Sequence, residues 1–187
     1  MNIDITSEPA RTDSPVTDRH DAEIFFTTGE SALGTVLVAR SSRGICAILM
    51  GSEAGTLTAD AAERFPGGTL MRNDRELEAD LDKIVRFIAT PERGLDLALD
   101  IRGTPFQRRV WDALCAIPCG RTVTYAALAR RIGEPEAVRA VANACAANAI
   151  GLAIPCHRVI RSDGTLSGYR WGVERKRALL AREARSR

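Results

Sequence analysis

Thr124-Tyr125-Ala126-Ala127-Leu128-Ala129-Arg130-Arg131-Ile132-Gly133-Glu134-Pro135-Glu136-Ala137-Val138-Arg139-Ala140-Val141 decides how the second half of this chain folds. Thr124 to Ile132 puts Ala127, Leu128 and Ile132 at helical spacing, Gly133-Glu134-Pro135 supplies a turn, and Glu136 to Ala147 is predicted as a second helix. Helix, short glycine-containing turn and helix is the helix-turn-helix arrangement, a pattern that many helical hairpins share. The second helix carries the small residues Ala137, Val138, Ala140, Ala142 and Ala144, with Arg139 as the one long cation among them. Small side chains let a helix approach a groove closely, and they equally suit tight packing.

Upstream, Thr104 as N-cap and Pro105 at the first helical position open a helix whose inward face carries Phe106, Val110, Trp111 and Leu114. Before it the periodicity changes. Ile24–Thr28, Leu33–Ala39 and Ile45–Leu49 read as strands, the last two joined by a Ser42-Arg43-Gly44 turn. Leu57–Phe65 and Glu76–Ile88 read as helices, the second with Leu77, Leu81, Ile84, Val85 and Ile88 at helical spacing until Pro91 stops it. Leu95 to Ile101 alternates apolar and polar and is expected to complete the sheet. The fold class expected is α/β (α+β): a disordered tail over residues 1–21, an N-terminal sheet-plus-helix lobe over 22–101, and a mainly helical lobe over 102–187. Cys46, in an apolar strand, is expected to be core.

Downstream lies Ile154-Pro155-Cys156-His157-Arg158-Val159, which sets a thiol, an imidazole and a guanidinium behind a stiffening proline. A thiol attacks as the thiolate and needs a base or a positive field, and His157 and Arg158 are candidates for both. Most single cysteines are small buried hydrophobes, so Cys156 is singled out by its neighbours. Cys115 and Cys119 have no second Cys or His pair at zinc spacing, and no metal site is expected.

Charge divides along the same line as structure. Residues 1–101 hold 10 Lys or Arg against 18 Asp or Glu, whereas residues 102–187 hold 16 against 6. A basic excess on so short a segment is the footprint of a polyanion binder, although part of the arginine content is a habit of this chain. Five cysteines, an odd number without disulfide-like density, point to a reducing compartment. No apolar run reaches the length of a bilayer span, and no signal-peptide pattern precedes Asp21. A cytoplasmic protein without membrane contact is expected.

Gly103-Thr104-Pro105-Phe106-Gln107, Ile117-Pro118-Cys119-Gly120, Thr124-Tyr125, Arg139-Ala140-Val141, Asn148, the Cys156 run and Gly168-Tyr169-Arg170-Trp171-Gly172 together resemble the O6-alkylguanine-DNA alkyltransferases. The resemblance is nearest to the methyltransferase half of Ada-type proteins and extends weakly back to Phe26-Thr27-Thr28. It implies a ribonuclease-H-like N-terminal lobe and a winged-helix-like helix-turn-helix in the second. It also implies a monomer that binds double-stranded DNA containing O6-alkylguanine through the minor groove, flips the base out, and needs no cofactor. By the same resemblance, Cys156 is the alkyl acceptor, His157 the base acting through water, and Glu183 the carboxylate orienting the imidazole. Asn148 links the recognition helix to the nucleophile loop, and Tyr125 contacts the modified base. Arg139 takes the place of the extruded base, within a DNA-binding helix that includes Ala137, Val138, Ala140 and Ala142. Val159 and Arg170 line the base pocket through their backbone, with Tyr169 closing one wall.

The expected reaction is displacement at the alkyl carbon of O6-alkylguanine, or of O4-methylthymine, giving a thioether that nothing in the chain would cleave. Each molecule then acts once. Three other readings share parts of the pattern. A cysteine hydrolase would use the Cys-His pair but would not explain a basic helix-turn-helix, and a transcription regulator of Ada type would be expected to carry the zinc-binding cysteine cluster and additional DNA-binding domain that are not seen in this sequence. A lesion-binding alkyltransferase-like protein lacks the cysteine that stands here at 156.

Overall fold

The structure, a computed structural model, describes residues 23–166 and 168–185, so the tail expected over residues 1–21 lies outside the described residues. Three antiparallel strands, β1 (Glu23–Ser31), β2 (Gly34–Ser41) and β3 (Gly44–Gly51), form the predicted meander. The apolar runs Val36–Ala39 and Ile45–Leu49 are buried without alternation, as in a sheet covered on both faces. Helices α1 (Ala54–Arg64) and α2 (Asp74–Ala89) pack against it. Cys46 is buried within this core.

Sheet completion departs from the expectation. The fourth strand is β4 (Thr69–Arg72), which pairs parallel to β1 with Leu70 opposite Ile24, giving the order β3-β2-β1-β4. Leu95–Ile101 is not a strand. It touches β3 at one residue, where Ile45 N donates to Ala98 O (2.8 Å) and Asp100 N donates to Ile45 O (2.9 Å). The reason is competition for the edge. Ile48 N donates to Ala149 O (2.9 Å) and Gly151 N to Ile48 O (3.0 Å), so a segment of the C-terminal half takes the next bridge along β3. Gly44 makes the first approach possible, because a Cβ at its φ of +142° would lie 2.5 Å from Ala98 O.

In the C-terminal half, α3 (Pro105–Cys115) starts on a full capping box: Gln107 N donates to Thr104 Oγ1 and Thr104 N to Gln107 Oε1. Val110, Trp111 and Leu114 are buried as predicted, and Phe106 is half-buried. Trp111 Nε1 donates to Ala144 O (2.9 Å) and ties α3 to the second helix of the pair that follows. That pair is α4 (Tyr125–Arg131), capped by Thr124, and α5 (Val138–Ala147). The second helix starts two residues later than predicted. Ala137 N closes a turn on Glu134 O (2.9 Å) across Pro135, which leaves Ala137 as the N-cap. A two-residue parallel pair, β5 (Val123–Thr124) with β6 (Val159–Ile160), and a last helix, α6 (Val173–Arg185), complete the half. No helix among the described residues is long and apolar enough to cross a membrane.

Candidate active site

Cys156 opens a single 3-10 turn, Cys156–Arg158, between Pro155 and β6, and is buried. Two contacts fix that turn. The β5–β6 pairing sets Val159 against Val123, which brings the start of α4, and so the half-buried Tyr125, alongside the nucleophile loop. From the other side Asn148, the C-cap of α5, donates Nδ2 to Ile154 O (2.9 Å) and to Cys156 Sγ (3.4 Å), while its Oδ1 accepts from Ile150 N (2.9 Å). One buried amide thus joins the end of α5, the β3-bound segment and the thiol.

Behind the thiol, His157 and Glu183 are both buried, with Nε2 2.8 Å from Glu183 Oε1. Arg158 donates Nε (3.0 Å) and Nη2 (2.9 Å) to the same carboxylate and Nη1 to Ile117 O. Gly120 N donates to Glu183 Oε2 (3.1 Å). Burial alone would raise the Glu183 carboxyl, but the hydrogen bonds from His157 and Arg158 outweigh it and hold the pKa at about 2. Burial pushes the His157 imidazole down from its ordinary value, against the opposing pull of Glu183. The imidazole is therefore neutral, and an ionised carboxylate can only accept, so the proton sits on Nε2. Nδ1 is left as a lone-pair acceptor, buried and without a hydrogen-bond partner among the described residues.

Burial also raises the Cys156 thiol; the Asn148 hydrogen bond and the charge of Lys176 pull the other way. The cation that acts on the thiol is thus Lys176 and not Arg158, which is committed to Glu183. Lys176 is fully buried on α6, donates Nζ to Val159 O, and has its own pKa lowered by burial. The sequence reading missed it. A signal was present: the chain holds only two lysines among its 26 basic residues, at positions 83 and 176. Cys145, also near Lys176, is pushed up to about 12 by burial and stays a thiol.

Tyr169 stands edge-on to His157 (6.5 Å between ring centres) and to Trp171 (5.1 Å), with its hydroxyl buried and unpartnered among the described residues. Cys156, His157, Glu183, Asn148, Val159 and Tyr169 therefore converge. Arg170 sends its guanidinium away, to Asp60 of α1 (2.9 Å), which leaves only its backbone for a pocket. On α5, Val141, Ala144 and Cys145 face the core, whereas Arg139 and Ala140 are exposed and Ala137, Val138 and Ala142 are half-buried. Among the described residues no group of three or more His, Cys, Asp or Glu is arranged to hold a metal ion.

The chain is similar to known proteins. A profile of the 6-O-methylguanine DNA methyltransferase DNA-binding domain matches residues 105–185. The bifunctional transcriptional activator/DNA repair enzyme Ada of Escherichia coli is 50% identical over 169 residues, which cover 89% of this chain and 48% of that protein. The chain thus spans about half the length of that relative. The inducible methylated-DNA--protein-cysteine methyltransferase of Bacillus subtilis is 42% identical over 126 residues, covering 67% of this chain and 70% of that protein. The crystal structure of Mycobacterium tuberculosis OGT in complex with DNA superposes with a TM-score of 0.71 at 33% identity, covering 87% of this chain and 94% of that one. Identity that runs through most of a complete methyltransferase, in a chain whose fold follows a solved one, means that this protein belongs to the methylated-DNA--protein-cysteine methyltransferase family.

Proposed function

We propose that this chain repairs alkylated DNA by one irreversible transfer of a methyl or alkyl group from O6 of guanine, or from O4 of thymine, to Cys156. The observation that carries the reading is the buried Glu183–His157 pair, whose tautomer leaves Nδ1 as an unpartnered base on the residue next in sequence to a buried thiol. In the reaction His157 Nδ1 takes the thiol proton through a water molecule, and Sγ attacks the alkyl carbon in line with the departing oxygen. The S–C bond forms as the C–O6 bond breaks. The electron pair leaves with guanine, and Tyr125 donates a hydrogen bond as negative charge develops there. The thioether product has no hydrolysable carbonyl, so the cycle ends.

A base stacked in a duplex cannot reach a buried thiol, and the reading therefore includes base flipping with Arg139 filling the gap in the stack. The exposed face of α5 approaches the minor groove through Ala140 and its half-buried neighbours. The chain acts as a monomer in the cytoplasm, with the lobes meeting near residues 101 and 102. The experiment is intact mass after incubation with a duplex containing O6-methylguanine. A gain of one methylene equivalent, mapped to the peptide of Cys156 and saturating at one per chain, is expected; repeated turnover or a label elsewhere would sink the reading.

A further inference from the structure

We propose that the cleft between the end of α1 and the Ala147–Ile150 segment is a binding site for a phosphate group. A cavity of about 180 Å³ lies there, lined by Arg64, Phe65, Arg102, Trp111, Asn148 and Ile154 among others. Among the described residues no carboxylate lines it. Arg64, the last residue of α1, has Nη2 buried without a hydrogen-bond partner among the described residues, and its Nε is held only by a long ion pair to Asp60 (3.3 Å). A buried donor left unpaired is costly, and a guanidinium fork fits two oxygens of a tetrahedral anion.

Local charge balance favours the same class of ligand. Asp60 lies 3.3 Å from Arg64 Nε but is bound more closely by Arg170 at 2.9 Å, and Asp100 is shared by Arg43 (3.3 Å) and Arg102 (2.7 Å). Two carboxylates therefore serve four guanidinium groups, and Glu63 offsets part of the excess from an exposed position on α1. Arg102 is steered by stacking over the Phe65 ring at 5.7 Å. Burial and then repulsion from Arg170 push the Arg64 guanidinium down, a penalty that an anion would relieve. The Cys46 thiol, pushed up to about 12 by burial, adds no negative charge. The C-terminal end of α5 opposes an anion with roughly half a charge, less than the arginines supply. Occupancy would brace the segment that carries Asn148 and hence the Cys156 contact.

Phosphate chemistry can reach the cleft as free phosphate or as a backbone phosphate of DNA. Thermal melting of the full chain in inorganic phosphate, against sodium chloride at matched ionic strength, should give a saturable rise of several degrees. Arg64→Gln should abolish the rise, and Arg64→Lys should keep a weaker one. If DNA supplies the phosphate, Arg64→Gln also weakens duplex binding and lowers its salt slope by about one; unchanged duplex binding assigns the site to the free ion. Only this DNA arm rests on the proposed function. A wild-type response no larger in phosphate than in chloride, or an equal response in Arg64→Gln, overturns the proposal. Should Arg64→Gln not fold, phosphorus NMR of phosphate with the wild-type chain decides: line broadening supports the site, and unbroadened lines at excess protein overturn it.

Discussion

Glu183→Gln removes one negative charge at the point where His157 Nε2, Arg158 Nε and Nη2, and Gly120 N converge. The carboxyl is held at about 2 against an ordinary 4.5. At about 1.4 kcal/mol per pKa unit, its ionisation stabilises the folded state by about 3 kcal/mol at neutral pH. The sign follows from the depression: the contribution is complete above 4.5 and is lost as pH falls toward 2. Leaving Arg158 buried against a neutral amide gives a comparable figure, about 3–5 kcal/mol. At roughly 2–4 °C per kcal/mol, the melting midpoint should fall by about 10 °C.

Chemistry should suffer separately from stability. An amide neither dictates the imidazole tautomer nor offsets the charge that His157 acquires on taking a proton, so part of the general-base advantage, about 10²–10⁴-fold, is lost. We expect single-turnover methyl transfer, measured on an O6-methylguanine duplex with protein in excess and well below the midpoint, to slow by about 10²-fold. A folded Glu183→Gln protein that transfers within about threefold of the wild-type rate would refute the assignment of His157 as a carboxylate-oriented base.

Cys156→Ala should take up no methyl group yet bind duplex DNA normally; mass spectrometry showing methyl on Cys46, Cys115, Cys119 or Cys145 of that variant would contradict the site. Arg139→Ala should slow repair of duplex substrate while reacting nearly normally with free O6-alkylguanine, and equal losses on both would remove the extrusion role. Because burial lowers the His157 pKa and raises that of Cys156, the transfer rate should hold level from about pH 7 to 9 and decline only on the acid side of 6.5; a climb of about tenfold per pH unit over the upper range would mean that a pre-ionised thiolate reacts. A methyl group added at the buried Cys156 should lower the melting midpoint by several degrees in scanning calorimetry, since overpacking costs about 1–3 kcal/mol, and an unchanged midpoint would show that the loop absorbs it.

Much of this architecture was legible because local chemistry and final fold agree. Thr104 and Pro105 spell a helix start that needs no tertiary help, to which the structure adds Gln107, and the run from Ile45 to Leu49 has the apolar continuity of a covered strand. β4 escaped because four residues, two half-buried and two exposed, preceded by two glycines, carry no period; their pairing with β1 depends on a partner more than forty residues away. Leu95–Ile101 misled for the complementary reason. Its alternation is genuine, but the edge it would occupy is taken by Ala149–Gly151, which no local pattern announces. In the site, the resemblance pointed to Glu183, while its burial under four donors depends on α6 folding back across Ile117 and Gly120. Lys176 was hidden by the prior that lysines face water, which holds for Lys83 and fails here.

The raised pKa of Cys156 bears on how long an unused molecule lasts. A cysteine that is spent in a single event is wasted by every stray electrophile or oxidant, and both act on thiolates. A thiol kept protonated by its own burial is latent: small reagents will find the exposed Cys115 before they find Cys156. On the proposed function, reactivity would be released only when a substrate enters the site. The enclosure that slows the resting chemistry would, on the same function, set the shelf life of the protein and reserve its one reaction for a lesion.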